Sequence, residues 1–480
     1  MRGQSINACT LKLKGVFAAA LLLAGSALTA AAGAGVTAVT GVTVIPMDSE
    51  RSIPNQTVVI ADGRIVAIAE AGTVTLPVGA DRIDGAGRYL MPGLADMHAH
   101  IYGFNNEEEE VAYTPVAEAQ LLNYAATGVT LVRDAGGSPG HFSYRSRVSA
   151  GDWIGPDLFV ASPIFEGERN VWDFTVKVTD PSAVEPLVAD YAETGYWGLK
   201  IYHTTSSEVF DAIMASAQAH ELPVMGHVPF DVGIDATLES GISSIEHLRG
   251  YDFDGVPVAS LWADGGRSRE RFSSWNRMTL ERRDELVSKT VAAGVWNVPT
   301  LAVNRMLFDP ATRTRVIEHP RFTRLLPAMQ QGMQDLAGLD AIFSAESRDA
   351  LGEAYPVMLE FIKALSDAGA GLMTGTDSAV PGYVPGFTVI DEIQSFAEAG
   401  LTPFQALQAS TIAPARYLGI ADDRGTVAVG KRADLVVLNS NPLEDLSALW
   451  DLSGVFLNGR WHSLADLEAA MDEQSAVAAE

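Results

Sequence analysis

The sequence predicts an α/β fold, a (β/α)8 barrel of the TIM type with a small β-sandwich domain that is built from both chain ends. Two patterns predict it. Apolar strand-like runs alternate with stretches of helical periodicity through the middle of the chain, and short β-rich runs with Gly and Asn turns occur at both ends. The 480 residues, 47% of them hydrophobic, suffice for a large core and more than one domain. We expect the β domain to comprise 36–90 and 421–464, and the barrel to comprise 91–420.

The terminal β-rich runs are predicted to pair with one another. Asp62-Gly63 is a hairpin turn signal between two of them, and Asn458-Gly459 marks a turn near the other end. Two half-sheets at opposite ends of the chain are expected to meet as one domain, with two unrelated hairpins on a larger body as the alternative. The runs lie at 40–45, 57–60, 64–68, 425–427, 434–438 and 455–460.

Eight strand candidates make up the central pattern. Helical-period stretches such as 207–220 and 280–293 separate most of them, and repeated βα units imply a parallel sheet. Eight such units fit a closed barrel, in which polar residues at the C-terminal ends of the strands form the active face. The candidates are 94–98, 128–134, 158–161, 198–202, 223–227, 243–247, 296–301 and 371–377.

The stretch 305–351 has helical periodicity without a strand-like run. We predict a helical excursion here, between strands seven and eight. The pattern leaves open whether this excursion covers part of the barrel mouth or only packs against the barrel.

His98 and His100 are the most informative residues of the chain. They stand one residue apart at the end of an apolar strand-like run, and alternate residues of a strand share a face. Imidazole is a common ligand of zinc and related metals, so the pair is a candidate metal site. Four further polar side chains end strands of the predicted barrel, and these are Lys200, His227, His247 and Asp377.

Lys200 is unusual in this group because an ammonium charge would repel a metal ion. A desolvated lysine loses its proton more easily and can then react with carbon dioxide to form a carbamate. The carbamate is an anion whose two oxygens can bridge two cations. An uncarboxylated Lys200 beside a single metal ion is the alternative.

The charge balance disfavours two classes of partner, and the first residues predict the location of the protein. With 33 basic and 60 acidic residues, the formal charge is −27, which disfavours nucleic acid and anionic lipid as partners. Residues 1–32 combine a positive start, a short apolar run and small residues, as in a secretory signal. We therefore expect export to the periplasm or beyond, with no membrane attachment after cleavage. Cys9 is the sole cysteine, and its loss with the signal would exclude disulfides and cysteine ligands.

The array of six polar side chains named above, together with the flanking β domain, resembles the binuclear amidohydrolase superfamily. Within it, four motifs are similar to the imidazolonepropionase-like or Xaa-Pro dipeptidase-like branch of metal-dependent hydrolases. The resemblance covers roughly 36–461, and it is highly specific for the superfamily but weakly specific for the substrate. The motifs are MPGLADMHAH at 91–100, GVTLVRD at 128–134, SIEH at 244–247 and GTD at 375–377.

The resemblance implies two divalent metal ions, with zinc preferred for nitrogen and oxygen ligands in a hydrolytic site. It implies a bridging role for Lys200 in its carboxylated form. The inner ion would be held by His98, His100 and Asp377, and the outer ion by His227 and His247.

The resemblance also implies catalytic roles for two residues. Hydroxide between the ions would attack the scissile carbonyl, and Asp377 would accept its proton and hand it to the leaving amine. Tyr202 is similar to the tyrosine of the Lys-x-Tyr arrangement in the dipeptidase branch. Its hydroxyl would hold the developing oxyanion or the substrate carboxylate.

Other polar residues are less decisive. His141 follows strand two on the active-face side, so a substrate contact and a solvated loop position are both open. His203 adjoins the Lys200 motif, but strand alternation turns it to the other face, which favours packing. Arg145, Arg249 and Arg305 are all candidates for binding a substrate carboxylate, and the sequence does not choose between them.

We expect an exported metal-dependent hydrolase that cleaves the amide bond of a small molecule, a dipeptide or an N-acyl amino acid. Hydrolysis of a lactone, ester or phosphoester at the same centre is the alternative, and a non-catalytic metal-binding barrel is the third interpretation. The resemblance disfavours a ring deaminase. Family members of that kind usually carry a glutamate shortly after the strand-five histidine, and Val228-Pro229-Phe230, directly after His227, contains no acid. A homo-oligomer is left open.

Overall fold

The computed structural model describes residues 35–169, 175–264, 267, 269–334, 343–378 and 384–478. The signal predicted for 1–32 lies outside the described residues. The strands are β1 (Val36–Val44), β2 (Ile53–Ala61), β3 (Arg64–Glu70), β4 (Asp81–Asp84), β5 (Tyr89–Pro92), β6 (Leu94–Ala99), β7 (Val129–Asp134), β8 (Asp157–Val160), β9 (Phe165–Glu166), β10 (Val176–Lys177), β11 (Leu199–Ile201), β12 (Val224–Gly226), β13 (Ser244–Glu246), β14 (Trp296–Val298), β15 (Leu435–Leu438), β16 (Leu452–Leu457) and β17 (Arg460–Ser463).

The α-helices of the described residues lie mainly between the strands of the central region. They are α1 (Glu107–Ala126), α2 (Gly140–Ala150), α3 (Val184–Thr194), α4 (Ser207–Ala219), α5 (Gly233–Glu239), α6 (Val258–Asp264), α7 (Arg269–Ser273), α8 (Leu280–Ala293), α9 (Leu301–Phe308), α10 (Pro310–Ile317), α11 (Pro327–Gln334), α12 (Ala345–Asp367), α13 (Phe387–Glu398), α14 (Pro403–Ala409), α15 (Ile412–Tyr417) and α16 (Leu464–Val477).

Local sequence signals set the ends of several helices. The side chains of Ser206, Thr279 and Ser344 accept hydrogen bonds from backbone N–H groups in the first turns of α4, α8 and α12. Gly195 and Gly294 end α3 and α8 in the left-handed conformation, which glycine adopts without a steric penalty. These helix boundaries are therefore determined by residues close in sequence.

Both chain ends contribute strands to one mixed sheet. Its order is β17-β16-β15-β5-β1-β2-β3, with β4 beside β1. β5 joins the two halves, because it pairs antiparallel with β15 and parallel with β1. Arg64 at the start of β3 forms a bridge with Arg432, just before β15, so the sheet curls around an apolar core that includes Val39, Val58 and Phe456. Because the strand pairings form a single sheet, the two-layered sandwich remains a prediction.

The central strands pair in parallel and in sequence order. β6, β7 and β8 form one sheet, and β11 to β14 belong to a second one that β9 and β10 extend. Parallel bridges and neighbouring backbone hydrogen bonds join these sheets and the segment 371–378 into a ring of eight segments, consistent with the predicted TIM-type barrel. Segment 371–378 takes part through bridges rather than as a continuous strand. The bridges join Ala161 to Gly198, Asn297 to Leu372, and Ala99 to Ser378.

The helical excursion predicted for 305–351 is present in the described residues. α9 to α11 and the start of α12 lie between β14 and the segment 371–378. Their apolar residues join the main hydrophobic core, which includes Met306, Leu351 and Phe361. Within the described parts of the chain, we find no helix that is both long and apolar enough to cross a membrane.

The side chain of Glu392 on α13 accepts a hydrogen bond from the backbone of the first turn of α9. Its Oε2 accepts a hydrogen bond of 2.7 Å from the backbone N–H of Ala302, whereas Oε1 is buried and has no hydrogen-bond partner among the described residues. Burial raises the pKa of Glu392 to about 8. The carboxyl group is therefore protonated at neutral pH in the folded chain.

We predict that Glu392→Gln increases the free energy of unfolding relative to the wild type, and more so at high pH. The unfolded carboxyl group ionises near its ordinary pKa of 4.5, but the folded one stays neutral up to about 8. The wild type therefore loses stability as the pH rises through this window, and the variant lacks this loss. Chemical denaturation at about pH 5 and about pH 9 measures the difference, with exposed Glu281→Gln as the matched control. An equal effect at both pH values would contradict the buried neutral carboxyl.

Candidate metal centre

His98, His100 and Asp377 form a compact group at one end of the barrel. Asp377 Oδ1 lies 3.1 Å from His100 Nε2 and 3.4 Å from His98 Nε2. The bridge between Ala99 and Ser378 aligns the two segments, so residues far apart in sequence meet at the same strand end. Each of the three side chains offers one ligand atom, and these atoms all lie within 4.8 Å of one another. The group has the ligand types and spacing that a divalent metal ion requires.

Lys200 on β11 lies across the barrel from this group. Its side chain is 1% exposed, and Nζ is 3.4 Å from His98 Nε2. Burial lowers the pKa of Lys200 to about 8, although the carboxylates of Glu246 and Asp377 oppose this change. A substantial fraction of the amine is therefore uncharged near neutral pH, which is the form that reacts with carbon dioxide.

His247 and His227 complete the set of predicted ligands. The ring centroid of His247 is 4.5 Å from that of His98, and its Nε2 is 4.0 Å from Asp377 Oδ2. Thr300 Oγ1 lies 2.8 Å from His247 Nδ1 and orients the ring. The His227 ring centroid is 4.9 Å from that of His247. The structure therefore brings all six predicted ligand side chains together.

His227 has an open nitrogen in an otherwise packed environment. Its Nε2 is buried without a hydrogen-bond partner in the described structure, and its Nδ1 lies 3.0 Å from His203 Nδ1. Burial lowers the pKa of His227 well below its ordinary value, so the imidazole is neutral. A neutral imidazole with a free nitrogen is the form that ligates a metal.

His203 packs as predicted, but not on the face that strand alternation suggested. Its ring is stacked on His227 at a centroid distance of 5.3 Å and also contacts Phe230. β11 ends at Ile201, so the two-residue alternation does not extend to position 203. His203 therefore supports the ring of a predicted metal ligand.

Two further residues of the candidate site, Glu246 and Arg133, do not stand out from the sequence alone. Glu246 Oε2 accepts a 2.6 Å hydrogen bond from His98 Nδ1, and Oε1 accepts one of 2.9 Å from Arg133 Nη2. Burial alone would raise the pKa of Glu246, but Arg133 and the bond from His98 hold it well below its usual range. A carboxylate on Nδ1 leaves Nε2 of His98 free for a metal. Both residues lie within the quoted motifs, where a charge inside an apolar strand signals a buried ion pair.

Asp96 connects the first and last barrel segments beneath the site. Its Oδ1 accepts hydrogen bonds from the backbone N–H groups of His98 and Thr376, at 3.1 and 3.0 Å. Tyr124 and Thr376 donate their hydroxyl groups to Oδ2. Burial raises the pKa of Asp96 to about 6, and these bonds oppose the change. Asp96 therefore fixes the backbone on both sides of the His98–Asp377 contact.

The two residues predicted to contact substrate differ in their surroundings. Tyr202 is partly exposed, and its ring lies 4.2 Å from that of His227. His141, in contrast, is buried, with Nδ1 accepting from the Ser138 N–H and Nε2 donating to the Ile101 carbonyl. Both nitrogens of His141 are thus engaged within the protein. The structure gives the proposed substrate contact of His141 no support and indicates that it braces a loop.

Comparisons with known proteins give matches over most of the chain. An amidohydrolase family model matches residues 89–462. The imidazolonepropionase of Thermoplasma acidophilum is 24% identical over 413 residues, which are 83% of this chain and 86% of the relative.

Solved structures resemble the whole fold. A Xaa-Pro dipeptidase with bound methionine in its active site is 20% identical, with a TM-score of 0.66 over 89% of this chain and 100% of the other. The bottromycin amidohydrolase is 24% identical, with a TM-score of 0.71 over 95% of each chain. The family match spans most of the chain and contains every side chain of the centre described above, so this protein belongs to the amidohydrolase family.

Proposed function

We propose that this protein is an exported, binuclear metal-dependent hydrolase that cleaves an amide bond in a dipeptide or an N-acyl amino acid. The observation that carries the proposal is the position of Lys200, whose Nζ lies 3.4 Å from His98 Nε2 among five other predicted ligands. An ammonium group at this position would repel a metal ion, whereas a carbamate is an anion whose two oxygens can bridge two cations. The export part of the proposal rests on the signal-like residues 1–32.

The donor set fits two divalent ions. His98, His100 and Asp377 form one cluster. The ring of His227, whose Nε2 has no hydrogen-bond partner among the described residues, lies 4.9 Å from the ring of His247. Nitrogen and oxygen donors of this kind favour zinc. When bound, such ions supply hydroxide near neutral pH, because they lower the pKa of water to about 7, and they polarise a carbonyl group.

Asp377 is suited to proton transfer. Burial alone would raise its pKa, but His247 and the hydrogen bonds from His100 and His98 hold the pKa well below its ordinary value. The carboxylate is therefore ionised at neutral pH and can accept a proton, which it then donates to the leaving amine. Tyr202, whose ring lies 4.2 Å from that of His227, would hold the substrate near the scissile bond.

We expect the zinc-loaded protein to hydrolyse members of a panel of dipeptides and N-acyl amino acids, and Asp377→Asn to lower kcat by about 10²- to 10⁴-fold. The asparagine keeps an oxygen ligand but is not a base, so metal content should change little. Steady-state kinetics and metal analysis on the same preparation measure both quantities. Unchanged turnover in the variant would remove Asp377 as the proton carrier, and turnover of lactones or esters alone would replace the amide substrate class.

We predict that Lys200 is carboxylated. Wild-type protein loaded with zinc in ¹³C-bicarbonate should give a carbamate carbon signal by NMR, and Lys200→Met should lack it. Because the neutral amine is the reactive form and its pKa is about 8, metal loading should become faster as the pH rises from about 6 to about 8. A wild-type spectrum without the signal, together with a full metal complement, would contradict the bridging role.

Glu246→Gln should weaken metal binding by about 10- to 100-fold, because the amide holds the His98 ring less firmly. The substitution leaves Arg133 without its buried carboxylate, so the double variant Arg133→Met, Glu246→Gln tests whether folding alone is affected. Competition with a chelator measures affinity, and thermal denaturation of the metal-free protein measures folding. Exposed Glu281→Gln is the control. Wild-type affinity in the folded double variant would show that Glu246 does not orient a ligand.

A further inference from the structure

The turn after β13 brings a charged residue beside the metal centre. His247 and Leu248 adopt left-handed backbone conformations, with φ of 58° and 54°. The N–H of Arg249 then donates to the Glu246 carbonyl at 2.9 Å. This tight turn keeps Arg249 at the same strand end as the ligand side chains.

Arg249 is only weakly neutralised by its surroundings. Its side chain is 11% exposed, and Nη1 lies 3.5 Å from Asp252 Oδ2, at the limit of a hydrogen bond. The same oxygen accepts a 2.6 Å bond from Arg271 Nε, and Asp252 Oδ1 accepts from the Gly250 N–H. Arg249 Nε is buried and has no hydrogen-bond partner in the described parts of the chain. The Asp252 carboxylate thus contacts two guanidinium groups, and its contact with Arg249 is the longer of the two.

The charge of Arg249 reaches the predicted ligands. Burial is the main cause that lowers the pKa values of Lys200, His227 and His247, and the guanidinium of Arg249 lowers each of them further. Burial and then Arg249 also lower the pKa of Arg271 to about 10. The wall of the site beside the ligands therefore carries the positive charge of Arg249, although the whole chain has a formal charge of −27.

The other two arginine candidates are engaged elsewhere. Arg145 is exposed on α2 and lies over the ring of Phe142, 4.9 Å from its centroid. Arg305 on α9 forms ion pairs with Asp309 and Glu398. Of the three candidates, Arg249 alone interacts with the ligand side chains through its charge.

We propose that Arg249 binds the free carboxylate of the substrate, so that the enzyme selects N-acyl amino acids and dipeptides over their neutral carboxamides. The proposal rests on the function proposed above. A carboxylate is planar and accepts two parallel hydrogen bonds from a guanidinium group, which supplies the partner that the buried Nε lacks. A neutral carboxamide satisfies this group less well and leaves the positive charge uncompensated.

The test compares N-acetylleucine with N-acetylleucinamide as substrates for the zinc-loaded wild type, Arg249→Met and Arg249→Lys. We expect the wild type to have a higher kcat/KM for N-acetylleucine than for N-acetylleucinamide. The ratio of these two kcat/KM values should fall about 10- to 100-fold in Arg249→Met, mainly because KM for N-acetylleucine rises. The fall should be smaller in Arg249→Lys, which keeps the charge but loses the planar guanidinium group. Arg145→Met is the matched control and should keep both the ratio and the activity. Metal content and Tm of each variant report whether the site and the fold are intact.

The outcomes separate this inference from the proposed function. If the wild type hydrolyses both compounds equally, or if Arg249→Met keeps the wild-type ratio, the carboxylate subsite is wrong while the hydrolase stands. If the wild type hydrolyses neither, calorimetric binding of the same two compounds decides. Preferential binding of N-acetylleucine that is lost in Arg249→Met supports the subsite, and equal binding overturns it.

Discussion

The candidate site depends on one buried hydrogen bond, between Glu246 and His98. An ionised carboxylate inside a barrel is costly unless both of its oxygens are paired, and here His98 occupies one oxygen while Arg133 and Ser244 occupy the other. Arg133 also donates to the Met97 carbonyl, next to His98 in sequence. The same network that satisfies these charges thereby holds the His98 ring and its backbone in one orientation.

Burial prepares the remaining side chains for metal binding. It keeps His227 and His247 neutral and lowers the pKa of Lys200 to about 8. At Asp377, burial alone would raise the pKa, but hydrogen bonds from His100 and His98 help to hold it well below its ordinary value. Metal ligands must be deprotonated, so these protonation states favour a bound cation over a bound proton. Burial of these polar groups destabilises the folded protein, but it also gives the side chains the protonation states that metal binding requires.

Local charge differs from the charge of the whole molecule. The acidic chain as a whole repels anions, yet two guanidinium groups, those of Arg249 and Arg271, lie against Asp252 beside the predicted ligands. Field strength inside a cleft depends on the groups that line it and on the low dielectric of its walls. An anionic substrate is therefore compatible with an acidic protein, because the attraction acts where water is largely excluded.

Local patterns in the sequence were enough to predict the eight barrel segments and to select six side chains as metal-ligand candidates, which the structure brings together. Each segment is a short apolar run between helical stretches, and each ligand stands at or near the end of such a run, so no long-range information was needed. The helical excursion after β14 was predictable for the same reason.

Only the tertiary structure decided which side chains meet. Arg133 and Glu246 are 113 residues apart, and their pairing follows from the order in which the strands close into a ring. The ring nitrogens of His141 form hydrogen bonds with the backbone of Ser138 and Ile101, which the sequence did not reveal. Among the three candidate arginines, Arg249 is distinguished by the turn after β13 and by its long contact with Asp252. The sequence alone determines the alternation of strands and helices and the parallel direction of the strands. Contacts between side chains across the barrel depend on how the strands close into a ring and on which groups become buried, and both involve the whole chain.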